Sequence, residues 1–278
     1  MDVVYSWLKS AMAESLEAAA KRQQERAEAK EKGITLPDEE IKSLVELFLE
    51  QSSEDEDGLH LDDLPDLVLS FVLAARGTSA TALLWIVLVV AKHPEHREVE
   101  RRIRDEFAVV LGDLGDNEYV TTDHISKLVY LEATIREVLR LYPTIPMNQR
   151  VAAVDTVIGH SIQVKKGDVF FINPYTTARL PSVWGDDAAE FRPQRWIDDE
   201  TGELLSFPPS KFNTFSAGPR SCIGMRLAML ELRIVAANLF KRYTFSLARP
   251  NDLRHSVSIE LMPTDPVVFK VERVTTAA

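Results

Sequence analysis

FSAGPRSCIG, residues 215–224, contains Cys222, the only cysteine in a chain of 278 residues. This thiol lies between Gly218 and Gly224, and Arg220 stands two positions before it. A lone cysteine cannot form a disulfide within its own chain, and a single cysteine fits a reducing compartment rather than a disulfide-stapled fold. The position of the thiol in a loop with glycines on both sides therefore calls for a chemical explanation.

We predict that the cysteine loop opens a long helix, which runs from near Cys222 to near Tyr243. Free backbone N–H groups and the positive end of a helix dipole stabilise a thiolate at such a position. Arg220 adds positive charge, and Gly218 and Gly224 permit tight turns and the close approach of a flat group. The loop is therefore suited to a thiolate that binds a metal or attacks a substrate.

Three kinds of cysteine chemistry can be compared from the rest of the sequence. A catalytic cysteine needs a histidine base nearby in space, and the six histidines of the chain show no helpful arrangement. His93 and His96 flank Pro94 at the start of a helix, which favours surface positions over a metal pair. A zinc site with four ligands is poorly supported by one cysteine. Iron held by one thiolate, as in thiolate-ligated haem, remains the attractive interpretation.

Composition and charge bear on the class of partner. The net charge of −11 argues against nucleic acid, because phosphate binding needs a basic surface. The first 30 residues lack a short basic leader followed by an apolar run and small residues, so we expect no signal peptide. A partner other than nucleic acid is therefore expected.

Residues 67–91 form an apolar stretch that is long enough to cross a bilayer. Arg76 lies inside this stretch, beside a polar cluster that includes Thr78 and Ser79. A central arginine costs about 2.5 kcal/mol or more in lipid. We therefore favour a long helix through a protein core, and the polar cluster calls for a functional explanation.

The periodicity of the sequence predicts a mainly α fold with a small β region. Helices are expected over residues 1–32, 38–50, 64–92, 94–111, 126–142 and 222–243. Short strands are expected in RVAAVDTVIG, HSIQVKKGD and VFFINPY, which together make up residues 150–175, followed by irregular chain to about Pro209. The tail segments HSVSIELMP and DPVVFKVERV are expected to form a closing hairpin. There is no internal repeat and no clean linker, so we predict one domain over residues 1–278.

Four motifs in this sequence resemble those of the cytochrome P450 family, in the family's order. FSAGPRSCIG is similar to its haem-binding loop, F-x-x-G-x-R-x-C-x-G. AARGTS, residues 74–79, resembles the oxygen-binding groove of its long I helix. EVLR, residues 137–140, resembles the E-x-x-R of its K helix, and FRPQRW, residues 191–196, its F-x-P-x-R-W segment. The fixed positions of the haem-binding loop are all matched, by Phe215, Gly218, Arg220, Cys222 and Gly224.

The resemblance implies a role for each matched residue around haem b. Cys222 is expected to be the axial thiolate and metal ligand, which donates electron density to the iron and favours O–O cleavage. Arg220 and Arg150 are expected to bind the haem propionates. Phe215 is expected to pack beside the thiolate and tune it. The two loop glycines, Gly218 and Gly224, belong to the same cofactor-binding loop.

The resemblance also implies a buried ion triad of Glu137, Arg140 and Arg195 that locks the K helix to the chain around the haem. Taken alone, the three-residue spacing of Glu137 and Arg140 favours a surface pair on a helix, which is worth only about 0.2–0.5 kcal/mol. The other motifs favour the triad. Loss of one partner from such a buried group is expected to cost about 3–5 kcal/mol.

Thr78 occupies the position of the family's I-helix threonine, whose hydroxyl helps deliver protons to dioxygen. The family usually has an acidic residue just before this threonine, and this chain has Gly77. Gly77 and Ala75 still allow a groove over the haem. Water could replace the acid, or the reaction could be a rearrangement or dehydration that needs no external protons. If the acid is missing from the relay, Gly77→Asp should raise oxygen-coupled turnover.

The implied architecture is the C-terminal part of the P450 fold, truncated at its N-terminus. It comprises helices before the I helix over 1–60, the I helix over 64–92, the K helix over 126–142, a small sheet and irregular meander over 150–209, the haem loop and L helix over 215–243, and a terminal hairpin over 244–278. Typical members are longer, and full-length relatives lie at the cytosolic face of the endoplasmic reticulum membrane. We expect neither an anchor nor the early substrate-covering segments in this chain.

The function implied is a haem-thiolate monooxygenase, or its catalytic C-terminal portion, that inserts one atom of dioxygen into a small apolar substrate. Electrons are expected from NADPH-cytochrome P450 reductase or another donor. Arg226, Lys241 and Arg242 could face an acidic reductase, or could be ordinary solvated charges. Two alternatives stay open: a non-catalytic fragment, and a P450-like isomerase or dehydratase that needs no external electron donor.

Overall fold

The computed structural model describes most of the chain. The described residues are 2–32, 63–92, 97–112, 114–115, 117–159, 161–249 and 253–274. The predicted helix over 38–50 and the predicted surface pair His93 and His96 lie outside these residues. Within them, the mainly α class with a small β region is confirmed.

Helices dominate the described chain, and their bounds follow local sequence signals. The α-helices are α1 (Asp2–Glu31), α2 (Leu64–Lys92), α3 (Arg97–Val110), α4 (Thr122–Ile125), α5 (Val129–Leu141), α6 (Pro174–Thr177), α7 (Pro181–Trp184) and α8 (Met225–Arg242). Short 3₁₀ turns cover Pro193–Trp196 and Gly218–Arg220. Pro143 follows the end of α5 closely, because the residue before a proline is disfavoured in helical conformation.

The strands pair as separate two-stranded antiparallel ladders. These are β1 (Asn148–Val151) with β4 (Val169–Ile172), β2 (Thr156–Ile158) with β3 (Ile162–Val164), β5 (Tyr243–Leu247) with β8 (Phe269–Arg273), and β6 (His255–Val257) with β7 (Leu261–Pro263). Gly159 turns between β2 and β3 with a φ of 63°, and Gly167 precedes β4 with a φ of 92°. The single small sheet that we predicted is thus two nested hairpins.

The predicted closing hairpin between HSVSIELMP and DPVVFKVERV is wrong. HSVSIELMP folds back on itself as β6 and β7, with His255 opposite Pro263. The strand inside DPVVFKVERV pairs instead with β5, where Phe245 lies opposite Val271. Sequence periodicity missed β5 because this strand continues directly from the end of α8, with Tyr243 already in extended conformation.

Residues 1–76 and 77–278 form two compact units, and the single domain over residues 1–278 stays a prediction. The boundary falls inside α2, next to Arg76. A boundary within a continuous helix leaves no linker and no change in composition, so the sequence gives no sign of it.

The main apolar core of the second unit is formed by α2, α3, α5 and α8, and a smaller cluster surrounds Trp184 and Trp196. On α3 the buried residues Val99, Ile103 and Phe107 recur every fourth position, which is the spacing of one helix face. The largest fully buried apolar side chains of the second unit include Trp85, Ile86, Leu88, Ile103, Leu128, Leu131, Ile135, Leu232 and Phe240. Helix α5 is buried on nearly every side, and it carries Glu137 and Arg140.

Helix α2 combines an exposed half with a buried half. It is long and apolar enough to span a membrane, and 44% of its most apolar window is buried. Residues 85–90 lie in the core of the second unit, whereas Val72 and Leu73 are exposed. The core-helix interpretation therefore describes the C-terminal half of α2 and not the N-terminal half.

Glu106 fixes the start of α5 from a neighbouring helix. The backbone N–H groups of Tyr130 and Leu131 donate to its two carboxylate oxygens at 2.6 and 3.0 Å. Both N–H groups belong to the first turn of α5, where no intrahelical acceptor is available. Burial raises the pKa of the Glu106 carboxyl, and the bonds from these N–H groups oppose that rise. The contact sets the position of α5 relative to α3.

Candidate functional site

The cysteine loop is held by its own backbone. The N–H of Cys222 donates to the carbonyl oxygen of Phe215 at 2.9 Å, and Ser221 N–H donates to the oxygen of Gly218 at 3.0 Å. Gly218 has a φ of 69°, in the left-handed region that glycine adopts without strain. The left-handed backbone conformation therefore explains why residue 218 is a glycine.

Two expectations for the loop are corrected. Helix α8 begins at Met225, so Cys222 precedes its first residue by three positions and does not lie within the first helical turn. Gly224 has an ordinary φ of −84°, and a Cβ there would lie 3.9 Å from the Cys222 sulfur, which is a normal contact. Neither a tight turn nor close approach within the protein requires glycine at 224.

Residues from five parts of the second unit line a pocket of about 220 Å³. Cys222, Arg220 and Phe215 line it from the cysteine loop, and Thr78 and Ser79 line it from α2. The rest of the lining comes mainly from the end of α5, from residues 144–148 and from α8. The structure thus brings the thiol and the predicted threonine to one pocket, although they are far apart in sequence.

The two predicted propionate-binding arginines lie on or next to the cysteine loop. Arg220 is exposed and lines the pocket. Arg150 projects from β1, where one of its nitrogens donates to the carbonyl oxygen of Gln149 at 2.8 Å and another contacts the hydroxyl of Ser216 at 3.4 Å. Ala75 is exposed and belongs to the first unit, and its expected place in the haem groove stays a prediction.

The surroundings of the thiol have the chemistry of a haem site. Cys222 is exposed, and the pocket that it lines is bounded by the apolar side chains of Leu139, Ile145 and Leu232. A haem has a flat apolar ring, an iron that accepts a thiolate, and carboxylates that pair with arginines. The thiol, the apolar pocket lining and the two arginines therefore fit this group.

An acidic side chain that the sequence did not identify fills the space over Gly77. A Cβ at Gly77 would lie 2.5 Å from an oxygen of Glu260, which belongs to the turn between β6 and β7. The groove that we expected from the absence of a side chain at 77 is therefore occupied by a carboxylate at that point. Glu260 fits the polar–apolar alternation of HSVSIELMP, so the sequence does not single it out, and only the fold shows which residue it meets.

Glu137, Arg140 and Arg195 form one ion network in the core. Glu137 and Arg140 are almost fully buried, and two nitrogens of Arg140 donate to the two oxygens of Glu137 at 2.7 and 2.8 Å. Arg195 donates its Nε–H to Glu137 at 2.9 Å. The indole N–H of Trp196 and the backbone N–H of Arg192 also donate to this carboxylate, at 2.9 and 2.8 Å.

The rest of the network joins α5 to the meander of residues 178–196. Arg140 also donates to the carbonyl oxygens of Ala178, Ala188 and Glu190. Arg195 continues the network to Asp187 at 3.1 Å. A surface pair would leave these groups in water, so the surface-pair alternative for Glu137 and Arg140 does not describe this chain.

Asp187 makes the network sensitive to acid. The hydrogen bond from Arg195, only partly opposed by burial, holds the pKa of Asp187 below its ordinary value. A carboxyl with a lower pKa in the folded state than its unfolded value of about 3.9 contributes stability above that value and loses it as the pH falls through the folded pKa. We expect Asp187→Asn to flatten the fall in the free energy of unfolding below about pH 4.

The measurement is a series of denaturant titrations across acidic pH for the natural chain and for Asp187→Asn. Asp186→Asn, at the exposed neighbouring position, serves as the matched control. An acid-dependent slope that is the same in Asp187→Asn and in the natural chain would contradict this account of Asp187.

The three predicted basic residues do not form one surface beside the thiol. Arg226 is exposed at the start of α8. Lys241 and Arg242 lie at the other end, about 22 Å away by the rise of the helix. Both donate to the carbonyl oxygen of Glu118. The cations that line a second cavity with Phe215 and Ser216 are instead Arg136, Arg226 and Arg233.

Comparison with known proteins gives the same family for nearly the whole chain. A family model described as Cytochrome P450 matches residues 2–271. Cytochrome P450 704C1 of Pinus taeda is 35% identical over 220 residues, which cover 76% of this chain and 42% of that protein.

Two further relatives match this chain at a similar level of identity. Alkane hydroxylase MAH1 of Arabidopsis thaliana is 36% identical over 198 residues, covering 70% of this chain and 37% of the relative. Cytochrome P450 monooxygenase cyp1 of Mycosarcoma maydis is 34% identical over 218 residues, covering 76% of this chain and 33% of the relative. The chain therefore spans less than half the length of these relatives.

Proposed function

The chain belongs to the cytochrome P450 family, and from this premise we propose that it forms the haem-binding portion of a haem-thiolate monooxygenase. The proposed reaction inserts one atom of dioxygen into a small apolar organic substrate. Electrons come from NADPH-cytochrome P450 reductase or another donor. In family terms, the proposed parts are the I helix at 64–92, the K helix at 126–142, the meander at 150–209 and the haem loop with the L helix at 215–243.

One observation carries this proposal: Cys222 and Thr78 line the same pocket. Cys222 is exposed to a ligand, and Thr78 is half-buried on α2. A cofactor bound to the thiol of Cys222 in this pocket would share the pocket with the hydroxyl of Thr78. The proposed reaction needs both a thiolate ligand and a hydroxyl that can transfer protons.

The residues that would hold the haem are Cys222 at the iron, Arg220 and Arg150 at the carboxylates, and Phe215 beside the sulfur. When bound, haem supplies the redox chemistry that activates dioxygen. Phe215 is half-buried and packs against the main core, which fixes the loop on one side of the sulfur. Thr78 can accept a proton at its hydroxyl and pass it into the pocket.

We propose an aliphatic chain as the substrate class. Support comes from the name of the Arabidopsis relative, which describes an alkane hydroxylase, and from the apolar residues Ala82, Leu139 and Ile145 in the pocket lining. The electron donor is proposed to dock beside the cysteine loop, where Arg226 is exposed and would attract an acidic surface. Arg136 and Arg233 line the same cavity, and both are paired with Glu132.

The test is an oxidation assay of the haem-loaded chain with reductase, NADPH and isotopically labelled dioxygen. A long-chain alkane and a fatty acid serve as substrates. We expect a product that carries one labelled oxygen atom, formed with consumption of NADPH. Thr78→Ala should lower the yield of product per NADPH, and Thr214→Ala, which alters a neighbouring pocket hydroxyl, is the matched control.

The assay also separates the two alternatives. A substrate that is converted without NADPH and without labelled oxygen would replace the monooxygenase by an isomerase or dehydratase, the alternative suggested by Gly77. A chain that loads haem but converts substrate neither with NADPH nor without it would agree with the alternative of a non-catalytic fragment.

A further inference from the structure

One ridge of α2 faces the hairpin of β6 and β7. Gly77, Thr81 and Trp85 are spaced four residues apart, so they lie above one another on a single helix face. The indole N–H of Trp85 donates to the carbonyl oxygen of Leu261 at 2.7 Å. The hydroxyl of Thr81 donates to Glu260 and approaches the sulfur of Met262 at 3.2 Å. These contacts fix the turn of the hairpin against the helix.

Glu260 is the charged residue of this interface. One of its carboxylate oxygens accepts the Thr81 hydroxyl at 2.6 Å, and the other lies 2.5 Å from the place that a Cβ at Gly77 would take. A side chain at 77 would displace the carboxylate from this place. Gly77 directly precedes Thr78, which lines the pocket with Cys222. The carboxylate is thus attached to the hairpin but sits where a side chain at 77 would begin.

Burial and access also suit a group that exchanges protons. Thr81 is buried, whereas Glu260 is only half-buried. A carboxyl in this position can regain a proton from water on its exposed side while its other side faces the helix. A fully buried carboxylate would lack that supply, and a fully exposed one would have no fixed relation to the pocket.

We propose that Glu260 is the acid that delivers protons to the pocket at Thr78, and this inference rests on the proposed function. Conversion of a C–H bond to a C–O–H group by dioxygen releases the second oxygen atom as water. The conversion therefore consumes two protons, together with two electrons from the electron donor. Glu260 gives up a proton from its carboxyl towards Thr78 and is protonated again by solvent water, so that it is unchanged after each turnover.

With Glu260 as the acid, we expect Gly77→Asp to lower oxygen-coupled turnover, whereas the sequence alone predicted a rise. A second carboxylate at 77 would collide with Glu260 and repel its charge. Coupled turnover should therefore fall rather than rise, and the protein should lose thermal stability. The substitution becomes harmless only when the original carboxylate is removed.

The first experiment compares Glu260→Gln with the natural chain, both loaded with haem. Glutamine keeps an oxygen that accepts from Thr81 but cannot donate a carboxyl proton. General acid–base groups contribute about 10²–10⁴-fold to rate, so we expect product per NADPH to fall at least about tenfold, with peroxide as the alternative product. The temperature of unfolding should shift by less than about 2 °C. Glu272→Gln, at an exposed position on β8, is the control and should change neither quantity.

The second experiment moves the carboxylate from the hairpin to the helix. We expect Gly77→Asp alone to lower the unfolding temperature of the haem-free chain, and Gly77→Asp with Glu260→Ala to restore most of the loss. This stability readout reports the contact between the two positions without any turnover. In the haem-loaded protein, the double variant should also recover product per NADPH relative to Glu260→Ala.

The outcomes separate this inference from the proposed function. Unchanged product per NADPH in Glu260→Gln, with haem bound through Cys222, overturns the role of Glu260 and leaves the proposed function intact. Failure of the double variant to recover stability overturns the placement of Glu260 at Gly77. Failure of the natural chain to insert labelled oxygen overturns the proposed function and this inference together.

Discussion

Replacing Cys222 by alanine is expected to abolish the red-shifted Soret band that carbon monoxide produces in the reduced, haem-loaded protein. The band reports iron bound to a thiolate, and this chain has a single cysteine to supply one. The loss should be complete rather than partial. Because Cys222 is exposed and contributes little to packing, the far-ultraviolet circular dichroism of the haem-free chain should stay the same.

Two further variants make this experiment specific. Ser221→Ala changes the exposed neighbour of the cysteine and should keep the band. Cys222→His should bind haem but give an unshifted band, because imidazole replaces the thiolate. A red-shifted band that persists in Cys222→Ala would show that the thiol is not the iron ligand, and the central assignment of the site would fail.

Replacing Glu137 by alanine is expected to lower the free energy of unfolding by about 3–5 kcal/mol. The substitution removes the common acceptor of Arg140, Arg195 and the indole of Trp196. Arg140 would then stay in the core without its counter-charge, and an unpaired buried charge is far more costly than an exposed one. The loss should be read from urea or guanidinium titrations of the haem-free chain.

The chain provides a matched control for this effect in Glu98 and Arg101. They have the same three-residue spacing on a helix, but both side chains are more than half exposed. Glu98→Ala should therefore cost much less than Glu137→Ala, because water replaces the lost partner. Similar losses in the two variants would contradict the account of Glu137 as the centre of a buried network.

Local signals in the sequence were enough to predict much of the helical structure. Helix α2 was predicted over 64–92 and observed as Leu64–Lys92, since a long apolar pattern ends near a proline. The predicted triad residues also come together, because Glu137 and Arg140 share one helix and the motif at 191–196 supplies Arg195. The helix and the pair of Glu137 and Arg140 are specified within a few residues of the chain, whereas the place of Arg195 was predicted from the family resemblance.

What the sequence did not predict depends on contacts between distant segments. Strand β5 was missed, and its pairing with β8 joins residues more than 20 positions apart. Glu260 was missed for the same reason, since 183 positions separate it from Gly77 and no periodicity links the two. The absence of an acid at 77 was visible in the sequence, whereas the carboxylate of Glu260 beside that position was visible only in the fold.

The apolar side chains that follow the thiol in sequence bear on how this protein behaves in a cell. Ile223 and Leu227 are largely exposed, and neither lines the pocket that contains Cys222. Exposed apolar surface promotes self-association of a chain that is only partly folded. If haem binds the folded chain as proposed, it shifts the folding equilibrium by mass action, so a greater supply of haem should raise the amount of folded protein.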